Sequence, residues 1–244
     1  MPGEASAETE LGPVMDRVAQ QWSKGNTGAR MYDFIVMHEG LSNLLAKIMW
    51  GGSWNDLYAD IASLGGVPAG SRILDVPSGG GIAFRGLDPS RPVHYVACDI
   101  SPFMLMRAWE EAARRGLAGV DAAKRAVADI EFLHADVTQI PHDDATFDLC
   151  LSYNGLHCFP HPELALNEMA RVLRPGGQLR GTAIVADGGW MSAACISIFQ
   201  RANQFAAVSR AEDIRRWLGA AGISEVQVRR RGANVVFNGK KAAR

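Results

Sequence analysis

Three carboxylates and one glycine cluster are the residues of this chain whose types and spacing could do chemistry. Asp75, Asp99 and Asp136 each close a short apolar run, and the first leads into Val76-Pro77-Ser78-Gly79-Gly80-Gly81. An apolar run that ends in an acid and then in glycines is how a buried parallel strand enters a ligand-binding loop. Glycines there let the backbone approach a ligand closely, and a helix following them would present free N–H groups to it. A carboxylate at the end of the next strand, Asp99, can accept hydrogen bonds from both hydroxyls of a ribose, and Asp136 could reach an adenine amino group. Taken singly, each acid could do no more than cap a turn. Three acids at three strand ends favour a ligand, because open α/β sheets bind ligands at the carboxyl ends of their strands.

A glycine loop alone does not separate dinucleotide sites from others. Counted from Gly79 and Gly81, the fingerprint G-x-G-x-x-G requires a third glycine where the chain has Phe84. An acid also precedes the glycines, at Asp75. Both points count against a nicotinamide-dependent oxidoreductase, which stays open as a rival.

Other chemistry finds less support. The four cysteines, Cys98, Cys150, Cys158 and Cys195, show no C-x-x-C spacing, and they read as buried thiols of a reducing compartment. No H-E-x-x-H is present; His157 and His161 are flanked by Pro160 and Pro162, which argues against a helix through both, so no metal is expected. His157, just past the fourth strand, is the preferred residue if a general base exists, and His38 is a weaker one. The formal net charge of -1 gives no general attraction to phosphate backbones, so nucleic acid is not expected as a partner. Arg229-Arg230-Arg231 and Lys240-Lys241 read as the solvated face of an edge hairpin. The N-terminus, MPGEASAETE, has no apolar core of a signal peptide, and no apolar stretch reaches bilayer length. Cytoplasmic residence without stable membrane insertion is the expectation, with oligomeric state open.

The elements that must position these residues follow from periodicity. Residues 1–11 read as a flexible tail and 12–68 as a helical cap, with Met31, Phe34, Ile35, Leu41, Leu44, Leu45 and Met49 spaced for apolar helix faces. From 69 to 244 the rhythm becomes α/β. Strands are expected at Ser71–Val76, Val93–Cys98, Ile130–His134, Phe147–Leu151 and Gln178–Ala186. Helices are expected from Pro102 to about Arg115 behind a Ser101 cap, over Asp121–Ala128, over His161–Leu173 and over Ala211–Ala221. Glu225–Arg230 and Asn234–Phe237 flank Arg231-Gly232-Ala233 as a hairpin. Residues 187–209, with Trp190, Met191, Ile196, Phe199 and Phe205, are too long for a plain loop and read as a partly helical lid. The whole is a Rossmann-like, mostly parallel seven-stranded sheet with helices on both faces and a C-terminal antiparallel hairpin.

The runs ILDVPSGGG, ACDISPFML, HADVTQIPHDDATFDLCLSYNGLHCF and RVLRPGGQL resemble class I S-adenosylmethionine-dependent methyltransferases in content, order and spacing. The resemblance runs over roughly residues 30–185. It is nearest to the small-molecule group that includes ubiquinone and menaquinone biosynthesis methyltransferases, whose N-terminal motif Met31-Tyr32-Asp33-Phe34 also resembles. The resemblance implies S-adenosylmethionine as cofactor and S-adenosylhomocysteine as product. It implies that Asp75, Gly79 and Gly81 form the loop around the amino-acid end, that Pro77 and Ser78 also bind the cofactor, and that Asp99 holds the ribose. Ile100 and Met104 would pack on adenine, Asp136 and Val137 would read its edge, Tyr153 and Asn154 would lie near the methyl, and Tyr32 would also contact the cofactor. Pro77 departs from the family pattern, which has glycine there, and removes a backbone N–H. Ser152-Tyr153-Asn154-Gly155 is not the N-P-P-Y or D-P-P-Y run of enzymes that methylate amino groups of DNA or protein glutamine. The resemblance, together with the apolar N-terminal helices, implies a small aromatic hydroxyl or quinol-like acceptor, and a non-catalytic adenosylmethionine-binding module is the second rival.

Overall fold

The computed structural model describes residues 17–25, 27–118 and 129–243. The expected tail, and the helix expected over Asp121–Ala128, lie outside the described residues.

Seven strands form one sheet in the order β3-β2-β1-β4-β5-β7-β6. They are β1 (Arg72–Asp75), β2 (His94–Asp99), β3 (Asp129–His134), β4 (Phe147–Tyr153), β5 (Leu173–Ile184), β6 (Ile223–Arg231) and β7 (Asn234–Lys241). The first five run parallel, and β7 pairs antiparallel with both β5 and β6. The hairpin is thus folded back, with its second strand inside the sheet and its first at the edge. Strands buried on both faces cannot alternate, which is why β1, β2 and β4 read as unbroken apolar runs. Ile73, Tyr95 and Leu151 pack on one face, and Leu74, Val96 and Cys150 on the other.

The chain runs β1 to β2 to β3 outward on one side, then returns to lay β4 on the other side of β1. Two neighbouring strands that leave in opposite directions open a crevice at their carboxyl ends. Asp75, Asp99, Asp136 and Asn154 are all delivered to that rim.

The helices follow their sequence signals. Among the described residues they are α1 (Arg17–Ser23), α2 (Thr27–Met37), α3 (Glu39–Trp50), α4 (Asn55–Ser63), α5 (Pro102–Arg114), α6 (Pro162–Val172), α7 (Trp190–Arg201) and α8 (Ala211–Ala220). Ser101 Oγ accepts the Met104 N–H at 3.1 Å, with Pro102 in the first turn, so α5 starts where its cap and proline require. One expected helix does not form. The glycine loop leads into a 3-10 turn, Ile82–Gly86, and then straight to β2. Phe84 and Ala83 are fully buried there, and a Cβ on Gly86 would overlap the Ile61 carbonyl, so the segment is held tight against α4. Another boundary moves: β5 begins at Leu173, and Pro175-Gly176-Gly177 lies inside it as an irregularity opposite Phe147–Leu149.

The N-terminal helices are tied to the far end of the chain. Tyr58 Oη on α4 donates to the Val36 carbonyl of α2 at 2.8 Å and lies 2.6 Å from Ser42 Oγ of α3. The Ala233 N–H donates to the Trp50 carbonyl at 2.7 Å, and Trp54 Nε1 donates to Asn234 Oδ1 at 3.0 Å. Gly232, at the hairpin tip with φ 62°, has no room for a Cβ against that same carbonyl. Gly232→Ala is therefore expected to destabilise the protein by about 2–3 kcal/mol, through left-handed strain and steric overlap together. A fall in Tm of roughly 4–10 °C would register it; an unchanged Tm would show that the tip is free to move.

Candidate functional site

A cavity of about 320 Å³ lies at the carboxyl ends of β1–β4, closed from above by α1 and α2. The structure brings onto its wall Tyr32, Asp75, Pro77, Ser78, Gly79, Asp99, Ile100, Met104, Asp136, Val137, Tyr153, Asn154 and His157. Of the residues singled out in the sequence, His38 lies exposed against the Phe34 carbonyl, away from the cavity, and Gly81 stands back from it. Its φ of 81° and the Phe84 ring, 2.6 Å from where a Cβ would sit, make it a packing glycine.

Asp99 organises the loop. Its Oδ2 accepts the Gly79 N–H and its Oδ1 accepts the Ser101 N–H, both at 2.9 Å. The remaining lone pairs of each oxygen stay available to a ligand. Burial pushes its carboxyl up to about 6, while the two N–H donors hold it back. Asp75 is deeper, 1% exposed, and accepts the Tyr95 hydroxyl at 2.7 Å. Burial raises its carboxyl to about 7, with the Asp99 charge adding to the rise and the Tyr95 bond opposing it. Asp136 Oδ1 accepts both the N–H and the hydroxyl of Thr138 at 2.8 Å, so its side chain is held in a fixed rotamer. Ser78 Oγ is buried without a partner on this wall. Pro77 follows a cis peptide bond from Val76.

Reasoning from sequence missed Asp33, although it lies in the quoted Met31–Phe34 run. Its carboxylate is 5% exposed, reaches the cavity wall, and accepts Arg107 Nε at 3.1 Å and Nη2 at 2.7 Å. A Cβ on Gly80 would overlap its Oδ1, so the middle glycine is required by Asp33 packing on the loop. Nothing in local periodicity marks an ion pair between α2 and α5.

Two residues stand differently from their sequence assignments. The Tyr153 hydroxyl donates to Asp60 Oδ2 on α4 at 2.5 Å, so the cavity meets only its ring and backbone. His157 is 3% exposed and its Nδ1 accepts the Ile184 N–H at 3.1 Å. The ring proton therefore sits on Nε2. Burial pushes the imidazole down to about 3, so it stays neutral. A group whose free lone pair is already engaged is a hydrogen-bond donor, not a base.

A second, smaller pocket of about 80 Å³ shares Trp22, Tyr32, Asn154, His157 and Phe205 with the first and continues between α2, α3 and α7. Met31, Ile35, Leu45, Met49, Trp50 and Phe199 make it apolar. Asn154, held with φ 54°, bridges the two spaces: Oδ1 accepts the Thr182 hydroxyl at 3.0 Å and Nδ2 lies 3.4 Å from the Tyr32 hydroxyl.

Residues 74–180 match the profile of a methyltransferase domain. The fold found here is shared with solved methyltransferases at low identity. One is phosphoethanolamine N-methyltransferase 2 of Haemonchus contortus, solved with S-adenosylhomocysteine: TM-score 0.67, 18% identity, covering 95% of this chain and 61% of that one. Another is a methyltransferase of Aquifex aeolicus: TM-score 0.54, 19% identity, covering 83% and 96%. The chain thus has the fold of the class I methyltransferases. Among curated proteins it is similar to the demethylmenaquinone methyltransferase of Clavibacter sepedonicus, 41% identical over 111 residues, which are 46% of this chain and 40% of that protein. It is also similar to the ubiquinone/menaquinone biosynthesis C-methyltransferase UbiE of Bdellovibrio bacteriovorus, 31% identical over 169 residues, 68% of this chain and 58% of that protein. The matched stretches thus span about half the length of these relatives.

The buried carboxylate of Asp75 gives a stability test. Its folded value near 7 lies above the unfolded value of about 3.9, so the native state holds the proton more tightly. The stabilisation this gives the protonated form is present below about pH 4 and is lost as pH rises through 7. Asp75→Asn removes that loss while keeping an oxygen for Tyr95. Near pH 8 the ligand-free variant is expected to exceed the parent by at least about 1 kcal/mol, some 2–4 °C in Tm. The gain should shrink toward pH 4; a variant less stable at every pH would contradict the burial argument.

Proposed function

We propose that this chain transfers a methyl group from S-adenosylmethionine to a ring carbon of a small quinol-like aromatic. The observation that carries the cofactor assignment is the charge of the cavity wall. Asp33, Asp75, Asp99 and Asp136 line it, and no lysine or arginine does among the described residues. Such a wall attracts a ligand bearing a sulfonium and an ammonium and repels the pyrophosphate of a dinucleotide. The residues present also fit the group. Asp99 has lone pairs to spare for two ribose hydroxyls. Ile100, Met104 and Val137 offer an apolar slot to adenine, and the unpartnered Ser78 hydroxyl awaits a polar neighbour. Asp75 and Asp33 stand nearest the glycine loop, where an ammonium would be paired.

When bound, the cofactor supplies a methyl group already activated by positive sulfur, so the chain's task is alignment and exclusion of water. The adjoining apolar pocket contains no carboxylate among the described residues, which disfavours a cationic amine as acceptor and favours a neutral aromatic ring. The names of the two curated relatives point the same way, toward a quinone precursor and a carbon atom. In this reading His157 Nε2 donates to an acceptor oxygen and orients the ring, Asn154 and Tyr32 fix the boundary between the two ligands, and Phe205 and Trp50 stack beside the acceptor. The ring hydroxyl gives its proton to solvent before the site closes, and the proton that the methylated ring carbon sheds to regain aromaticity leaves to solvent as the site opens; neither goes to His157, whose Nδ1 is committed to Ile184.

Calorimetric titration tests the cofactor. S-adenosylmethionine and S-adenosylhomocysteine are expected to bind and NAD not to, with Asp99→Ala weakening both by at least about tenfold. Affinity should fall as pH drops through about 6, because protonated Asp99 loses its charge and turns one acceptor oxygen into a donor. Preference for NAD would overturn the assignment.

A soluble naphthohydroquinone tests the acceptor. With it, His157→Phe is expected to lower kcat/KM by roughly tenfold to a hundredfold, with the pH–rate profile unmoved, since a donor was removed and not a base. Loss of the alkaline limb or plateau of that profile would restore a base role to His157.

A further inference from the structure

Helices α2, α3 and α7 bury their inner faces around the apolar pocket, yet their outer faces are also apolar. Phe34 and Met31 on α2 are each 55% exposed. On α3, Leu41, Leu44 and Ile48 recur at helical spacing as an exposed stripe, and on α7 Trp190 is 81% and Ile198 62% exposed. From Gly188 to Gln200 the chain carries no charged residue at all. Exposed apolar stripes on the outer faces of neighbouring helices form patches of the kind that mark interaction sites.

The charges beside the stripes identify the cover. Arg30 lies one turn before Phe34, Lys47 one turn after Leu44, and Arg201 one turn after Ile198, so each stripe carries one exposed cation on its flank. Lys47 and Arg201 enter no ion pair with a carboxylate among the described residues, and Glu39 is the one exposed acid on these three helices. A two-fold contact between copies would press this face against itself and bring like charges together. An anionic lipid surface accepts both features, apolar side chains below the headgroups and cations among them. The exposed Trp190 at the start of α7 has the amphipathic ring that settles at that depth. Among the described residues no helix is long and apolar enough to cross a membrane, so contact would be with the surface.

We propose that the outer face of α2, α3 and α7 docks on anionic bilayers. Met31 belongs both to that face and to the lining of the apolar pocket, so the pocket reaches the surface within the docking face. A lipid-borne acceptor would then enter without crossing water. That consequence rests on the function proposed above, whereas the docking itself does not.

Co-sedimentation of the full chain with vesicles tests the docking. Vesicles of phosphatidylcholine with phosphatidylglycerol should carry the protein down, vesicles of phosphatidylcholine alone should not, and high salt should release it. The double substitutions Trp190→Ser with Ile198→Ser, and Lys47→Glu with Arg201→Glu, lie on the exposed surface. Each is expected to lower binding by roughly tenfold or more while Tm and S-adenosylmethionine affinity stay at parental values. Failure of the parent to bind anionic vesicles overturns the proposal. So does light scattering that shows a dimer dissolved by the same apolar substitutions. Absence of cofactor binding in parallel titrations would sink the methyltransferase reading and leave the vesicle result standing.

Discussion

Everything at the rim of this sheet depends on keeping carboxylates ionisable inside a low-dielectric crevice. Asp99 reaches across from β2 to take the Gly79 N–H of the loop after β1, and the same side chain takes the Ser101 N–H that opens α5. One carboxylate thereby fixes the loop, the start of a helix and the spacing of two strands. Without those donors burial would drive Asp99 to its neutral form; with them it stays poised to ionise close to neutral pH. Asp75 lacks such donors beyond the Tyr95 hydroxyl, and its higher value follows. Two acids on adjacent strands, in direct electrostatic contact, make a site that is uncomfortable alone and is relieved by a cation. Strain of this sort is how a binding site stores affinity.

The rest of the cavity is built by tying distant parts of the chain to that rim. Asp33 brings α2 down on Gly80 and is held by Arg107 of α5, so the roof is latched to the same helix that Asp99 starts. Trp22 continues the latch: its carbonyl accepts the Ser101 hydroxyl at 3.2 Å, and its Nε1 donates to the Gln204 carbonyl at 3.2 Å. The hairpin tip at Gly232 props α3 from the opposite side. A ligand that pulls on Asp33 or Asp99 would therefore be felt across α1, α2 and α5 together.

How much of this was legible in the sequence follows from which forces are local. Buried parallel strands announce themselves as short apolar runs, and caps such as Ser101-Pro102 are chemistry between near neighbours, so the core elements and the acids at their ends could be read directly. The 3-10 turn at Ile82–Gly86 could not be, because what shortens it is the Ile61 carbonyl of α4 pressing on Gly86, a contact made only in three dimensions. The reversed position of β7 was hidden for the same reason, since a hairpin signal fixes which strands pair but not which one joins the sheet. Asp33 and Arg107 lie far apart in sequence, and no spacing rule links them. Tyr153 and His157 lie at the rim, but their polar atoms are claimed by Asp60 and Ile184, partners that the linear order does not reveal.

His157 shows how burial and a single backbone donor can decide the chemistry of a site. An imidazole in water is the natural base at neutral pH. Here the Ile184 N–H occupies its only free lone pair, and the surrounding Phe205 ring, 4.3 Å away, removes the water that would stabilise the cation. The residue keeps its donor and loses its basicity. If the smaller pocket takes the acceptor as proposed, its neutral donor and apolar stack, with no carboxylate among the described residues that line it, suit an acceptor whose nucleophilic atom is already electron-rich. The division of labour between the two pockets follows from that. On that proposal the acidic groups gather where a cationic ligand would be held, and the uncharged pocket beyond Asn154 would discriminate by shape and by one hydrogen bond.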